Sequence, residues 1–272
     1  MIVVRWTGAA GIDVTARGRS YMVDPFPSRP SKLETVAFPL RSNKARVRAY
    51  VDGLPGRPTA IVNGHTHHDH ALDLPEIARR FDGAVLGTTS TDALFHAHRL
   101  VSRVTVCHGW ERVELPGKAN VTMVPSVHGK VALGRTPFPG EIEPSVRPPL
   151  RVNEYRCGKV FSPLLEAGGV KVLCVSSAGL VDAEITKVDC DVLFLCVAGW
   201  KATHDYHARV LNAVKPEVVL PFHFDDFTAP LQFDRTAAKL PFLDMDKFVD
   251  RVRTLSPRTR VIVPRLYEEL RF

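Results

Sequence analysis

Asn63-Gly64-His65-Thr66-His67-His68-Asp69-His70 places four histidines and a carboxylate within six residues, directly after the apolar run Ala60-Ile61-Val62. Neutral imidazole nitrogen and carboxylate oxygen are the ligands that borderline cations such as Zn²⁺, Fe²⁺ and Mn²⁺ favour, and packing gives no reason to crowd them into one turn. A strand that stops at Gly64 presents these side chains from a loop at its carboxyl end, where α/β proteins place their chemistry. A merely solvated histidine-rich tract lacks the two features that flank this one. A buried strand precedes it, and a helical pattern follows from Leu74 to Phe81, with Ile77 and Phe81 apolar at helical spacing.

Two later histidines stand at the ends of apolar runs. Val121-Thr122-Met123-Val124-Pro125-Ser126-Val127 leads to His128, and Val218-Val219-Leu220-Pro221-Phe222 leads to His223. With these in place, the pattern H-x-H-x-D-H at His65, His67, Asp69 and His70 resembles the signature of the metallo-β-lactamase superfamily. His128 and His223 match that family's later histidines in order and context. The resemblance runs from Trp6-Thr7-Gly8 and Val23-Asp24-Pro25 to His223. It looks closest to the branch that includes ascorbate-6-phosphate lactonases and N-acyl phosphatidylethanolamine phospholipase D. It implies a four-layer αββα sandwich of the α/β class. It also implies a first metal on His65, His67 and His128, a second on Asp69, His70 and His223, and Asp69 as the catalytic carboxylate.

One departure stands against these matches. Between the third and last histidines the family carries an aspartate that bridges two metals, whereas here Val170 to Val175 runs into Ser176-Ser177-Ala178-Gly179 and Ser177 takes its place. Two divalent ions balanced by Asp69 and one bridging hydroxide leave a doubly charged cluster in a partly desolvated cavity, which low dielectric disfavours. A neutral serine hydroxyl is a poor replacement ligand. The expectation is one tightly held Zn²⁺ and a second metal that is weak or absent, with Fe²⁺ or Mn²⁺ as alternatives.

The two halves imply different chemistry. Three histidines with an open position lower the pKa of zinc-bound water to near 7 and suit hydrolysis. Two histidines and a carboxylate also suit ferrous iron and oxygen activation. The reading is a metal-dependent hydrolase that directs metal-bound hydroxide, oriented by Asp69, at an ester, lactone or amide. Alternatives are a phosphodiesterase or nuclease of the same fold, a mononuclear iron oxygenase, and a non-catalytic metal-binding or regulatory module.

Other residues have plainer readings. Asp225 and Asp226 follow His223 and orient it or cap the next segment. Asp24 reads as a turn residue with an outer-shell role as its alternative. His68 reads as a solvated neighbour and, secondarily, as a proton donor to a leaving group. Thr203 reads as the N-cap of a helix, with His204 and Tyr206 as candidate substrate contacts. His96, His98 and His108 read as structural or solvent-facing. Ser176-Ser177-Ala178-Gly179 lacks the leading glycine of a nucleophile elbow, which argues against a serine hydrolase.

The chain has 272 residues and ordinary hydrophobic content, and it reads as one domain over 1–272. Cys107, Cys157, Cys174, Cys190 and Cys196 form no C-x-x-C pair, which favours core packing in a reducing compartment. No run has the apolar length of a membrane span, and Met1 to Trp6 reads as a first strand, so a cytoplasmic location is expected. The net charge of +7 is scattered and not interleaved with stacking aromatics. Nucleic acid is therefore an improbable partner, and a small-molecule substrate, anionic in one version, is expected; the pattern leaves the oligomeric state open. Phe26 to Pro58 reads as loop with one short helix and a lid-like role. Gly129 to Asn153, rich in proline, reads as the determinant of substrate shape, with Arg151, Asn153 and Tyr155 as candidate contacts. Phe242 to Leu255 carries a last helical pattern.

Overall fold

The computed structural model describes residues 1–131, 134–231, 237–241 and 243–272. Among them, two seven-stranded sheets are built on the same plan. The first contains β1 (Val3–Gly8), β2 (Gly11–Ala16), β3 (Arg19–Val23), β4 (Arg57–Val62), β5 (Ala84–Gly87) and β6 (Thr105–Val106) side by side in chain order. The second contains β7 (Arg112–Leu115), β8 (Ala119–Ser126), β9 (Val160–Ala167), β10 (Val170–Val175), β11 (Val192–Cys196), β12 (Val218–Phe222) and β13 (Arg260–Val261), again in order. Each half opens as an antiparallel meander and continues as parallel strands, from β3 in one and from β10 in the other. β14 (Leu270–Arg271) returns to the first sheet beside β1, pairing Leu270 with Val4.

Alternation along the strands explains the layering. Tyr21, Val23, Ala60, Val62 and Leu86 point into a large core that they share with Val121, Leu165, Leu173, Phe194 and Leu220 of the other sheet. The intervening Met22, Ile61 and Val85 point the other way, into a second core. A period of two must send neighbouring side chains to opposite faces, and here both faces are covered, so these strands are apolar throughout. The second core is closed by α2 (Lys44–Asp52), α4 (Leu74–Ala78) and α5 (Thr89–Ala97) through Val47, Tyr50, Leu74, Ile77, Leu94 and Phe95. On the far side, α7 (Tyr206–Val214) and α8 (Met245–Leu255) cover the second sheet through Val210, Leu211, Phe248 and Val252. The result is the four-layer αββα sandwich. The shorter helices are α1 (Lys32–Ala37), α3 (His68–Ala71) and α6 (Asp182–Ile185).

Several local expectations are corrected. Residues 26 to 58 hold two helices, α1 and α2, each capped by a side chain that accepts from the backbone three residues on, Ser31 and Asn43. β7 is also present, its outward residues too charged for an apolar pattern to mark it. Thr203 does not cap α7. It donates its hydroxyl to the Ala178 carbonyl, and the N-cap is Asp205 in a left-handed conformation. The last helix runs Met245–Leu255, while Phe242 lies outside the described residues.

Candidate metal centre

The carboxyl ends of β3, β4, β10 and β12 and the exit of β8 converge on one point between the sheets. β4 delivers the motif, β8 ends two residues before His128, and β12 ends directly before His223. All six predicted ligands meet there in two groups, His65, His67 and His128, and Asp69, His70 and His223, and a third group of Asp24, His65 and His70 links them. Five are buried and His128 is partly buried. His223 adopts a left-handed backbone, φ 56°, which a non-glycine residue adopts at a cost and which turns the chain sharply out of β12.

Whether these residues fit a metal depends on where their protons sit. His67 donates Nε2–H to the Pro137 carbonyl at 2.8 Å, which leaves Nδ1 with its lone pair 3.2 Å from His65 Nε2. His128 donates Nδ1–H to the Gly129 carbonyl at 2.6 Å, which frees Nε2. On the other side, His70 donates Nδ1–H to Asp24 Oδ2 at 2.9 Å, and Asp69 Oδ2 lies 3.5 Å from His70 Nε2 and 3.3 Å from His223 Nε2. Two donors bound at about 2.1 Å in tetrahedral geometry stand about 3.4 Å apart, so these separations suit a shared cation. Carbonyl and carboxylate acceptors behind ligating histidines are the usual means of fixing tautomer and ring orientation. The donor set therefore fits divalent metal.

Electrostatics agree. Burial pushes His67 down to about 3 and His128 down to about 4, each helped by neighbouring histidines, so both imidazoles are neutral at physiological pH. Burial, with His70, His67 and His128 beside it, likewise holds His65 well below the usual histidine range. Burial opposes charge on His70 as well, but Asp69 and Asp24 outweigh it and raise its pKa. Burial raises the Asp69 carboxyl, yet His70, His223 and His68 together bring it well below the ordinary range.

Asp24 emerges as a positioning residue and not merely a turn residue. It is fully buried, and besides holding His70 its Oδ1 accepts from Asn63 Nδ2 and Gly64 N, both at 2.8 Å. Asn63 in turn donates to the His65 carbonyl and accepts from Thr91 Oγ1. Sequence reasoning quoted Asn63 but gave it no role. Its place at the strand end, next to the first glycine of the motif, was the available signal. Asp225 does not approach the centre. Its carboxylate accepts from Ala9 N at 2.9 Å and pairs with the buried guanidinium of Arg29.

A cavity of about 670 Å³ opens from the centre. Its described lining includes His67, His68, Asp69, His70, His128 and His223, with Ser176 and Ser177 at the end of β10. Its apolar wall includes Phe138, Trp200, Phe227, Leu240 and Leu243. Asp69 is the one carboxylate among these described lining residues. Ser177 Oγ accepts from Gly129 N at 2.9 Å, so its hydroxyl is already engaged with the loop that carries His128. His68 is buried and not solvated; its ring packs against Phe26 and Phe227, and burial lowers its pKa.

The segment after His128 contributes as expected, through Lys130, Val131, Pro137 and Phe138, and it also supplies the carbonyl behind His67. Arg151, Asn153 and Tyr155 are absent from the described lining; Tyr155 is buried in the second core, and Arg151 donates to the Ala37 carbonyl. His204 and Tyr206 are likewise away from it, His204 exposed and Tyr206 buried. No residue of the α1–α2 segment lines the cavity among those described, so that segment flanks the site without covering it. Phe26, just before it, does reach His68.

No family model matches the sequence, and no curated protein matches it. Solved structures do. The chain is similar to Igni18, a metallo hydrolase from the hyperthermophilic archaeon Ignicoccus hospitalis, with TM-score 0.64 and 15% identity over 99% of this chain and 97% of that one. It is similar to the metallo-β-lactamase fold protein YhfI from Bacillus subtilis, with TM-score 0.61 and 13% identity over 100% of both chains. CmlA, a diiron β-hydroxylase from Streptomyces venezuelae, matches with TM-score 0.63 and 16% identity over 100% of this chain and 54% of that chain. At such identities the likeness speaks to architecture, and the molecule has the metallo-β-lactamase fold.

Proposed function

We propose that this protein is a metal-dependent hydrolase of esters, lactones or amides. The observation that carries the reading is the pair of backbone carbonyls, Pro137 and Gly129, that hold the protons of His67 and His128 away from their partner His65. Three neutral nitrogens then face one point beside an apolar cavity. A divalent metal bound there, Zn²⁺ first and Fe²⁺ or Mn²⁺ as alternatives, supplies Lewis acidity and lowers the pKa of a coordinated water to near 7.

The protein's own residues do the rest. Asp69, ionised at physiological pH, orients the attacking water and accepts its proton. His68 lines the same cavity with its Nδ1 3.7 Å from Asp69 Oδ1, while its Nε2 is buried without a hydrogen-bond partner among the described residues, so its ring backs Asp69. The apolar wall excludes water and takes the carbon skeleton of the substrate. With Ser177 already engaged and no second lining carboxylate described, the Asp69, His70 and His223 half holds metal weakly. This favours acyl transfer over tight two-metal phosphoryl chemistry. The similarity in fold to a diiron hydroxylase keeps an oxygen-dependent reaction as the second reading.

Elemental mass spectrometry on protein purified without chelator, beside a screen of esters, lactones and amides, tests this. About one zinc per chain with turnover that His67→Ala abolishes together with the metal is the expected result. Iron in place of zinc, with oxygen consumption and no hydrolysis in the screen, moves the assignment to the oxygenase, and turnover retained by the metal-free variant overturns it.

A further inference from the structure

α1 buries none of its six side chains. Leu33, Val36 and Phe38 are 69%, 80% and 55% exposed, and the spacing of Leu33 and Val36 puts them on one helix face. Single exposed apolar residues are ordinary, but a cluster on one short segment marks a contact surface. Lys32 on α1, Arg41 after it and Lys44 and Arg48 on α2 are exposed, the Arg46 guanidinium is turned onto the Ser28 and Arg29 carbonyls, and Glu34 is the one carboxylate between Ser31 and Val51. Glu34 is already engaged in capping α1 at Ser31. Phe38, Pro39, Arg41, Arg46 and Pro230 wall a hollow of about 650 Å³ between α1 and the start of α2. The patch adjoins the metal cavity. Lys32 pairs with Asp226 at 3.5 Å, and the next residue, Phe227, packs against His68 and His223.

We propose that α1 and the adjoining start of α2 dock this protein on an anionic membrane surface. Leu33, Val36 and Phe38 enter the boundary between head groups and acyl chains, and Arg41, Lys44 and Arg48 face lipid phosphate. Neither signal suffices alone, since a few apolar side chains bind a bilayer weakly and lysines and arginines add attraction to anionic lipid; the two together hold a protein at the interface. Charge decides against a second copy as the occupant. A two-fold contact through this face sets Arg41, Lys44 and Arg48 against their equivalents, while Lys32 is already paired with Asp226 and Glu34 already caps α1. The inference does not depend on the hydrolase reading.

Co-sedimentation of the full chain with vesicles tests it, using phosphatidylcholine and phosphatidylglycerol in equal parts and phosphatidylcholine alone. Binding to the mixed vesicles is expected to be at least about tenfold tighter than to phosphatidylcholine alone and to weaken as salt rises. The double variant Leu33→Glu/Val36→Glu should weaken it by about tenfold or more at unchanged Tm, because neither side chain is buried. No binding to the mixed vesicles overturns the proposal. Binding that the double variant leaves intact overturns it too, by assigning attraction to the scattered net charge. So does a dimer in solution that this variant dissolves, which gives the face to a second copy. Release from the vesicles by soluble glycerol phosphate makes the hollow a site for free phosphate and equally overturns the docking.

Discussion

Asp24 has no place in the histidine motif, yet its buried carboxylate holds His70, Asn63 and the Gly64 amide at once. Asp24→Asn removes the charge behind His70 and leaves an amide where a proton must be accepted. Metal affinity of the Asp69, His70 and His223 half should fall by about 10- to 100-fold in a metal titration, while the three-histidine half changes little. A second buried carboxylate, Asp73, tests proton linkage away from the ligands. It accepts from Ser28 N at 2.7 Å and from the Ser28 and Ser42 hydroxyls, and burial, only partly offset by those bonds, raises its pKa to about 6. Because the folded value lies above the unfolded one, its contribution is fully present below about pH 4 and is lost as pH rises through about 6. The loss is on the order of 3 kcal/mol, readable by urea unfolding between pH 4 and 7. Asp73→Asn, whose amide can meet the same serines, should flatten that part of the profile.

At the scale of elements, the centre depends on two loops that touch backbone to backbone. A Cβ on Gly179, just after β10, would lie 2.1 Å from the Val127 carbonyl and 2.7 Å from the His128 carbonyl carbon. One on Gly129 would lie 2.9 Å from the Ala178 carbonyl carbon. These contacts let the exit of β8 lie against the exit of β10, which places His128 opposite His65 and His67. Gly179→Ala must push the loops apart. We expect a loss of about 1–3 kcal/mol in unfolding experiments and, separately, loss of metal from the three-histidine half in elemental analysis. Metal retained at wild-type level would show that His128 tolerates the shift. The strands carrying these loops were legible as apolar runs with near-correct bounds. The end of α4 was not, because its last turn lacks a sharp stop: Arg79 simply closes the final bonds to backbone carbonyls.

At the scale of the whole molecule, a metal bound at the centre would tie the two halves of the sandwich together, since His65, His67, Asp69 and His70 follow β4 of the first sheet and His128 and His223 follow β8 and β12 of the second. A ligand that binds the folded state and not the unfolded chain raises stability by mass action, by about 4 kcal/mol at a thousandfold excess over its dissociation constant. Chelation should therefore lower Tm by roughly 10 °C, and restoring zinc should return it. Unchanged Tm on complete metal removal would mean the centre is preorganised by the protein alone. Among the described residues, no helix is long and apolar enough to cross a membrane.

The motif, and the resemblance it carries, led to the expectation that six candidate ligands stand together in a sandwich fold; the structure has that fold and brings the six together. Ligand chemistry is concentrated in one turn and at two strand ends, and strands buried on both faces are apolar along their length. Tertiary structure decided what depends on contacts between distant segments. It set the acceptors that fix each imidazole's tautomer, Pro137 for His67 and Gly129 for His128. It turned Asp24 inward and Asp225 away, although both follow apolar strands and carry the same carboxylate. It buried His68, which the sequence reading left facing solvent. Periodicity reports that a side chain has a preferred face, whereas only the folded chain specifies what lies against that face.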